Sequence, residues 1–313
     1  SDLKVGGVLL SKRSFESLQS QRDKAALKLI KIEDEHLVAG LEGIIVSKDR
    51  ALQLFSLLIS YFDKVTNPVP LTIIYTASTP EHAKAYEEVK DLINKIAPNI
   101  KLVNELDGFQ NTLINIIDKL KVKNVFFLVD DILFIRKVDL KFACHLDTSR
   151  YILSLRHSPN LTRSYTANRK QIPPKLSNFN IELGLLEFRW FEKGCEWSDP
   201  WSVDGHIFST AEVRILTKIS SFSAPNSYEG ALKSFNSLCK ERSGLCYFES
   251  KILNLPINRV QNEFSNLSGS ISPEYLLEKW NEGLMLDTSK FDKHVPQSPH
   301  EEHDIIFISR KSI

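Results

Sequence analysis

The apolar run Val125-Phe126-Phe127-Leu128-Val129 ends in two adjacent carboxylates, Asp130 and Asp131, and this junction carries the strongest chemical demand in the 313-residue chain. A buried strand that delivers two acids to its end must surround them with solvent or a cation, because an unpaired buried carboxylate costs several kcal/mol or shifts its pKa upward. A divalent metal ion is the expected partner. A second segment with chemistry is Trp197-Ser198-Asp199-Pro200-Trp201-Ser202-Val203-Asp204-Gly205-His206-Ile207-Phe208, where Asp204 and His206 flank a glycine that permits close backbone approach. A third is Ser47-Lys48-Asp49-Arg50, directly after an apolar run.

The elements that must position these residues follow from periodicity. Short apolar runs alternate with helical patterns at a spacing of roughly 25 to 30 residues, the signature of βαβ units and a parallel sheet. Leu41–Val46, Leu71–Tyr75, Ile100–Val103 and Asn124–Val129 read as strands, and Asp49–Phe62, Pro80–Ile96 and Phe109–Leu120 as helices. Ser78-Thr79-Pro80-Glu81 supplies a capping hydroxyl, a first-turn proline and an early carboxylate. Beyond Asp131 the rhythm breaks. Ile152–Leu155, Leu185–Phe191 and Ile207–Phe208 read as strands of a mixed, partly antiparallel half, with helical patterns at Thr210–Ile219, Ser227–Lys240 and after Ser272-Pro273. Asp304–Ile313 is a candidate edge strand. The expected organisation is a helix-prone leader at 1–38, an α/β domain at 39–262 and a small, mainly helical C-terminal extension at 263–313.

Composition narrows the function. Forty basic and thirty-nine acidic residues leave a formal charge of +1, so no electrostatic footprint for nucleic acid exists. Apolar stretches fall short of the roughly 20 residues that cross a bilayer. The expectation is a soluble, cytoplasmic protein. The four cysteines lack CxxC spacing, which argues against a structural zinc site or a disulfide framework. The chain begins Ser-Asp and holds one methionine, Met285, which suggests a processed or excised start. None of the twelve glycines precedes a lysine, so the P-loop that a Walker-type acid strand requires is missing. Val46 leads into Ser47-Lys48-Asp49-Arg50 rather than GxGxxG, which removes the dinucleotide-binding reading. A plain structural role, capping the turn after the strand, is the competing explanation for Asp130 and Asp131.

An acid pair closing the fourth strand of a nucleotide-binding half resembles the GT-A glycosyltransferases, with Val129-Asp130-Asp131 departing from strict DxD. Together with Val203-Asp204-Gly205-His206-Ile207-Phe208, it is similar in motif order to bacterial and chlorella-virus transferases that build surface glycans. The resemblance implies a Rossmann-like fold with a mixed central sheet. It also implies a nucleotide-diphosphate sugar donor and a glycan or other hydroxyl acceptor. Asp131, aided by Asp130 and His206, would hold Mn²⁺ or Mg²⁺, which suit all-oxygen coordination. Ser47, Asp49, Arg50 and Asp130 would contact the nucleotide, Arg50 through its fork to a phosphate. Asp204 would serve as the general base of an inverting transfer. Arg156, Trp197, Trp201 and Glu229 would face substrate, the indoles offering apolar faces to sugar rings. Each has a structural alternative: N-capping for Asp49, a backbone-bonded histidine for His206, core packing for the tryptophans. Leu255-Pro256-Ile257-Asn258-Arg259-Val260-Gln261 reads as a polar turn. A nucleotidyltransferase ranks second, since it normally carries a glycine-rich basic loop after its first strand and Ser47-Lys48-Asp49-Arg50 lacks those glycines, and a non-catalytic binding module stands as the reading from another class.

Overall fold

The computed structural model describes residues 3–5, 8–257 and 271–312. Its centre is a nine-stranded mixed sheet. In chain order the strands are β1 (Val38–Lys48), β2 (Leu71–Thr76), β3 (Lys101–Asn104), β4 (Val122–Val129), β5 (Tyr151–Ser154), β6 (Ser177–Asn180), β7 (Leu185–Arg189), β8 (His206–Ser209) and β9 (Ser243–Tyr247). Across the sheet they run β6-β7-β9-β5-β8-β4-β1-β2-β3. The half formed by β4, β1, β2 and β3 is parallel, with Ile44 opposite Phe127 and Ile45 opposite Ile73. β8 then pairs antiparallel with both β4 and β5, so the ends of β4 and β5 lie at the same edge.

Burial on both faces explains why β1 and β4 read as continuous apolar runs: Ile44, Ile45, Val125, Phe126 and Leu128 are all fully buried. One face packs against helices α2 (Ala51–Lys64) and α3 (Pro80–Ile96), whose Leu52, Phe55, Tyr86 and Val89 join the core on that side. The other receives α1 (Lys12–Asp34) and α4 (Phe109–Ile117), with Ala26, Phe109 and Leu113. After the short α5 (Lys141–Cys144), α6 (Thr210–Lys218) and α7 (Pro225–Lys233) cover this same face through Val213, Leu216, Tyr228 and Leu232.

Local signals set several boundaries. Thr79 Oγ1 accepts the His82 amide at the start of α3, and Ser272 Oγ accepts that of Tyr275 at α8 (Pro273–Asn281). α2 begins two residues later than periodicity suggests, because Asp49 adopts a left-handed conformation (φ 54°) that a helix cannot include. The helical pattern at Ser227–Lys240 is divided: α7 starts at Pro225, and a separate 3₁₀ turn covers Asn236–Cys239. The strand expected at Leu185–Phe191 stops at Arg189, since Phe191 takes φ 68°.

Within the 1–38 segment, α1 packs against the sheet domain. Arg214 of α6 donates to Glu33 at 2.8 Å, and the Arg22 guanidinium sits 4.0 Å from the Phe235 ring centroid. At the other end α8 packs against α2, with Trp280 edge-on to Phe55, while Leu284–Leu286 pairs antiparallel with Phe307–Ser309. The described part of the C-terminal extension holds α8, short 3₁₀ turns at Ser289–Phe291 and Arg310–Ser312, a two-stranded ribbon and irregular chain. Asn258–Gln261 and the expected boundary at 262 lie outside the described residues. Among those described, no helix is long and apolar enough to cross a membrane.

Candidate active site

From β1 the chain steps outward to β2 and β3, then returns to place β4 on the opposite flank of β1. The carboxyl ends of β1 and β4 thus form a topological switch point, the crevice where open α/β sheets bind ligands. Ser47, Asp49 and Arg50 come from the first of these ends, Asp130 and Asp131 from the second.

The two ends are tied together by hydrogen bonds. Asp130, buried, accepts from Ser47 Oγ at 2.7 Å, from the Lys48 amide at 3.2 Å and from Arg50 Nη1 at 2.9 Å. The same Arg50 nitrogen lies 2.8 Å from Asp131 Oδ2. Tyr86 of α3 completes the set: its hydroxyl accepts the Arg50 amide at 3.0 Å and bonds Ser47 Oγ at 2.6 Å. The acid pair needs a cation, and Arg50 meets part of that need. Among the described residues, Arg50 is the cation that bonds both carboxylates. Burial, opposed by Arg50 and His300 and reinforced by Asp130 and Asp204, pushes Asp131 up to about 7. Its Oδ1 is buried without a hydrogen-bond partner among the described residues. An orphaned carboxylate oxygen beside an ion pair of net negative charge is a donor set that fits a hard divalent cation.

A second charged cluster adjoins it at the end of β5. Arg156, only 3 % exposed, lies 3.1 Å from Glu196, 3.8 Å from Asp199 and 3.7 Å from Asp204. Asp204 precedes β8 at a turn where Gly205 takes φ 78°. Its neighbour's lack of a side chain is required: a Cβ there would stand 2.3 Å from Ile252 Cδ1. The Gly205 amide donates to Phe127 of β4 and its carbonyl accepts from Leu155, which pins Asp204 between the acid pair and Arg156. Asp204 Oδ2 also faces His300 Nε2 at 3.0 Å and Asn254 Nδ2 at 3.3 Å. Burial acts to raise the Asp204 pKa, but His300, Arg156 and Asn254 outweigh it and hold the carboxylate ionised below its ordinary value. The same partnership raises His300, against the effect of its burial.

Sequence reasoning therefore named residues that the fold gathers at one edge: Ser47, Arg50, Asp130, Asp131, Arg156 and Asp204. Others stand elsewhere. Both Asp49 oxygens are engaged by Ser78, at 2.7 Å from its amide and 2.7 Å from its hydroxyl, so Asp49 fastens the β1 loop to the β2 loop. His206, expected as a metal ligand, is completely buried: its Nδ1 bonds the Pro200 carbonyl at 2.9 Å and its ring packs on Trp190 and His157. Burial and the nearby Arg156 hold it well below its ordinary pKa. Trp197 and Trp201, expected as a sugar platform, are both 0 % exposed. Trp197 packs on Phe188 and Trp201 stacks on Phe208, leaving no face for a ligand. Glu229 accepts the Val203 amide at 3.1 Å and Lys233 at 2.8 Å, and so braces the turn before Asp204.

Four site residues escaped the sequence reading. Tyr86 lies on a helix face that reads as core. Glu196 accepts from Ser164 as well as Arg156 and lies one residue before the segment Trp197–Phe208 that the sequence singled out. Asn254 belongs to the short strand Ile252–Asn254, which pairs with Ile132–Phe134 immediately after the acids. His300 arrives from the C-terminal segment, held by Asn254 accepting the Glu301 amide. The asparagine and histidine carry no local pattern. Their role exists only through tertiary contact.

No family model matches the chain. It is similar to a Dictyostelium discoideum protein named bifunctional glycosyltransferase pgtA, at 26% identity over 192 residues. The match covers 56% of this chain and 24% of that protein, so the chain spans about a quarter of its relative's length. Among solved structures, a mannosyltransferase from Pyrobaculum calidifontis in complex with GDP-Man and Mn²⁺ overlaps 44% of this chain and 45% of its own, with 13% identity and a TM-score of 0.29. A likeness that distant carries no weight for fold or function.

Proposed function

We propose that the chain is a metal-dependent glycosyltransferase that moves a sugar from a nucleotide-diphosphate donor to a hydroxyl acceptor. One observation carries this reading: Asp130, Asp131, Arg50 and Asp204 meet at the switch-point edge of the sheet, with Asp131 left one oxygen short of a partner among the described residues. Similarity to a protein named as a glycosyltransferase supports it. Asp131, with Asp130, would hold the divalent ion, which when bound supplies Lewis-acid stabilisation to a departing diphosphate. Arg50 would then turn part of its fork from the carboxylates to a phosphate, a charge-assisted bidentate contact. Ser47 and Tyr86 keep Asp130 oriented while that exchange occurs.

On the other side of the crevice, Asp204 would take the proton of the acceptor hydroxyl as it attacks the anomeric carbon. Its ionised state lets it receive a proton, while the hold of His300, Arg156 and Asn254 makes it a weaker base than a free carboxylate. A base facing the acceptor favours inversion of configuration. The test is a panel of nucleotide sugars with Mn²⁺, followed by donor hydrolysis, thermal shift and NMR of the product anomer. Asp204→Ala should spare donor binding and cut turnover by at least ~10²-fold. Full turnover in that variant would remove Asp204 from the role, and a product of retained configuration would remove inversion.

A further inference from the structure

A cluster outside the crevice has the composition of a metal site. His294 Nε2 lies 2.5 Å from Glu301 Oε2, and His303 Nε2 lies 2.8 Å from the same oxygen. All three ligand atoms fall within 4.8 Å of one another. Two imidazole nitrogens aimed at one carboxylate oxygen converge on a point, and that convergence is what a tetrahedral ion needs from three protein ligands. The surroundings are built to hold it. Glu301 Oε1 accepts the Gln297 amide at 2.7 Å and the Ser298 amide at 3.3 Å, which fixes the carboxylate plane. The His294 and His303 rings meet edge to face at 4.7 Å, and His303 also packs on Phe291. Arg136 anchors the segment by donating to the carbonyls of Phe291, Asp292 and His294.

We propose that His294, Glu301 and His303 form a site for a borderline divalent transition ion, zinc in chemical class, that clips the C-terminal strap over the crevice. Two neutral imidazoles and one carboxylate form a zinc ligand set that leaves a fourth position for water. A carboxylate oxygen can only accept, so both imidazoles donate Nε2–H to Glu301. On loading, each Nε2 presents its lone pair instead, so binding releases protons or shifts them to Nδ1. Position gives the site its consequence. His300, one residue before Glu301, contacts Asp204, and the Glu301 amide bonds the Asn254 carbonyl. An ion at the clip would therefore hold His300 against Asp204, whatever the reaction at the crevice, and this site is separate from the oxygen-rich acid pair.

The experiment uses the full chain stripped with EDTA and titrated with Co²⁺ as a visible probe, then with Zn²⁺ in competition. One equivalent should give intense tetrahedral-type absorption, displaced by zinc and retained in Asp131→Asn. Glu301→Gln and His303→Ala should each weaken binding by more than ~10-fold. Hydrogen exchange across 294–303 should slow when zinc is added. Absence of the absorption in the wild type, or its persistence in the His294→Ala/His303→Ala double variant, would overturn the site. Zinc binding without slower exchange would overturn the clip.

Discussion

Asp131 is placed where it costs stability, and Asp131→Asn should reveal by how much. Its carboxyl is raised from an ordinary 3.8 to about 7, with burial as the leading cause. Each pH unit corresponds to about 1.4 kcal/mol, so ionisation in the folded protein is penalised by roughly 4 kcal/mol relative to the unfolded chain. The sign follows from proton uptake. Between about 7 and 3.8 the folded state binds more protons than the unfolded state, so this residue favours folding increasingly as pH falls through that window. Above pH 7 the penalty is complete. Asparagine stands in for the neutral carboxyl, and the rise to about 7 already includes the attraction of Arg50. The variant should therefore be more stable than wild type by about 4 kcal/mol at pH 8, and the advantage should shrink by more than half at pH 5. Urea unfolding in EDTA at both values measures it. A variant less stable than wild type at pH 8, or a difference independent of pH, would refute the argument that Arg50 leaves the acid pair under-compensated.

Arg156→Met should destabilise by about 3–5 kcal/mol in denaturant unfolding, because Glu196, Asp199 and Asp204 lose their shared buried cation. Gly205→Ala combines a left-handed backbone with a contact at 2.3 Å to Ile252, and a loss of at least about 2 kcal/mol should appear in the same assay. His157 and His206 are buried and held well below 6.5, chiefly by burial. Below pH 6.5 the unfolded chain binds protons that the folded state refuses, so stability should fall as pH drops, by about 1.4 kcal/mol per pH unit for each histidine. His206→Gln should reduce that slope by one histidine's share.

The parallel half of the sheet was legible because its signals are local. Apolar runs marked β1, β2 and β4, and Thr79-Pro80 and Ser272-Pro273 marked helix starts that the structure reproduces. β9 was missed: Ser243-Gly244-Leu245-Cys246-Tyr247 is short, contains a glycine and alternates weakly. That glycine fits because a Cβ would stand 2.2 Å from the Phe188 ring, a requirement visible only once the strands are paired. At the site, Asp130, Asp131, Arg50, Arg156 and Asp204 were identifiable as charges at strand ends. Arg50 as their cation was not, since the pairing joins loops from strands separated by two others in the chain. The tryptophans misled because Ser198, Asp199, Pro200 and Ser202 make their segment look exposed, whereas both indoles fill the aromatic core beneath β8.

If the carboxylates at the end of β4 hold a nucleotide diphosphate through a divalent ion, that binding needs both the ion and Asp131. Isothermal titration of nucleoside diphosphates against wild type and Asp131→Ala, each with Mn²⁺ and with EDTA, tests it directly. At least one nucleoside diphosphate should bind, and only with both Mn²⁺ and Asp131 present. Equal binding in EDTA, or undiminished Mn²⁺-dependent binding in Asp131→Ala, would contradict it.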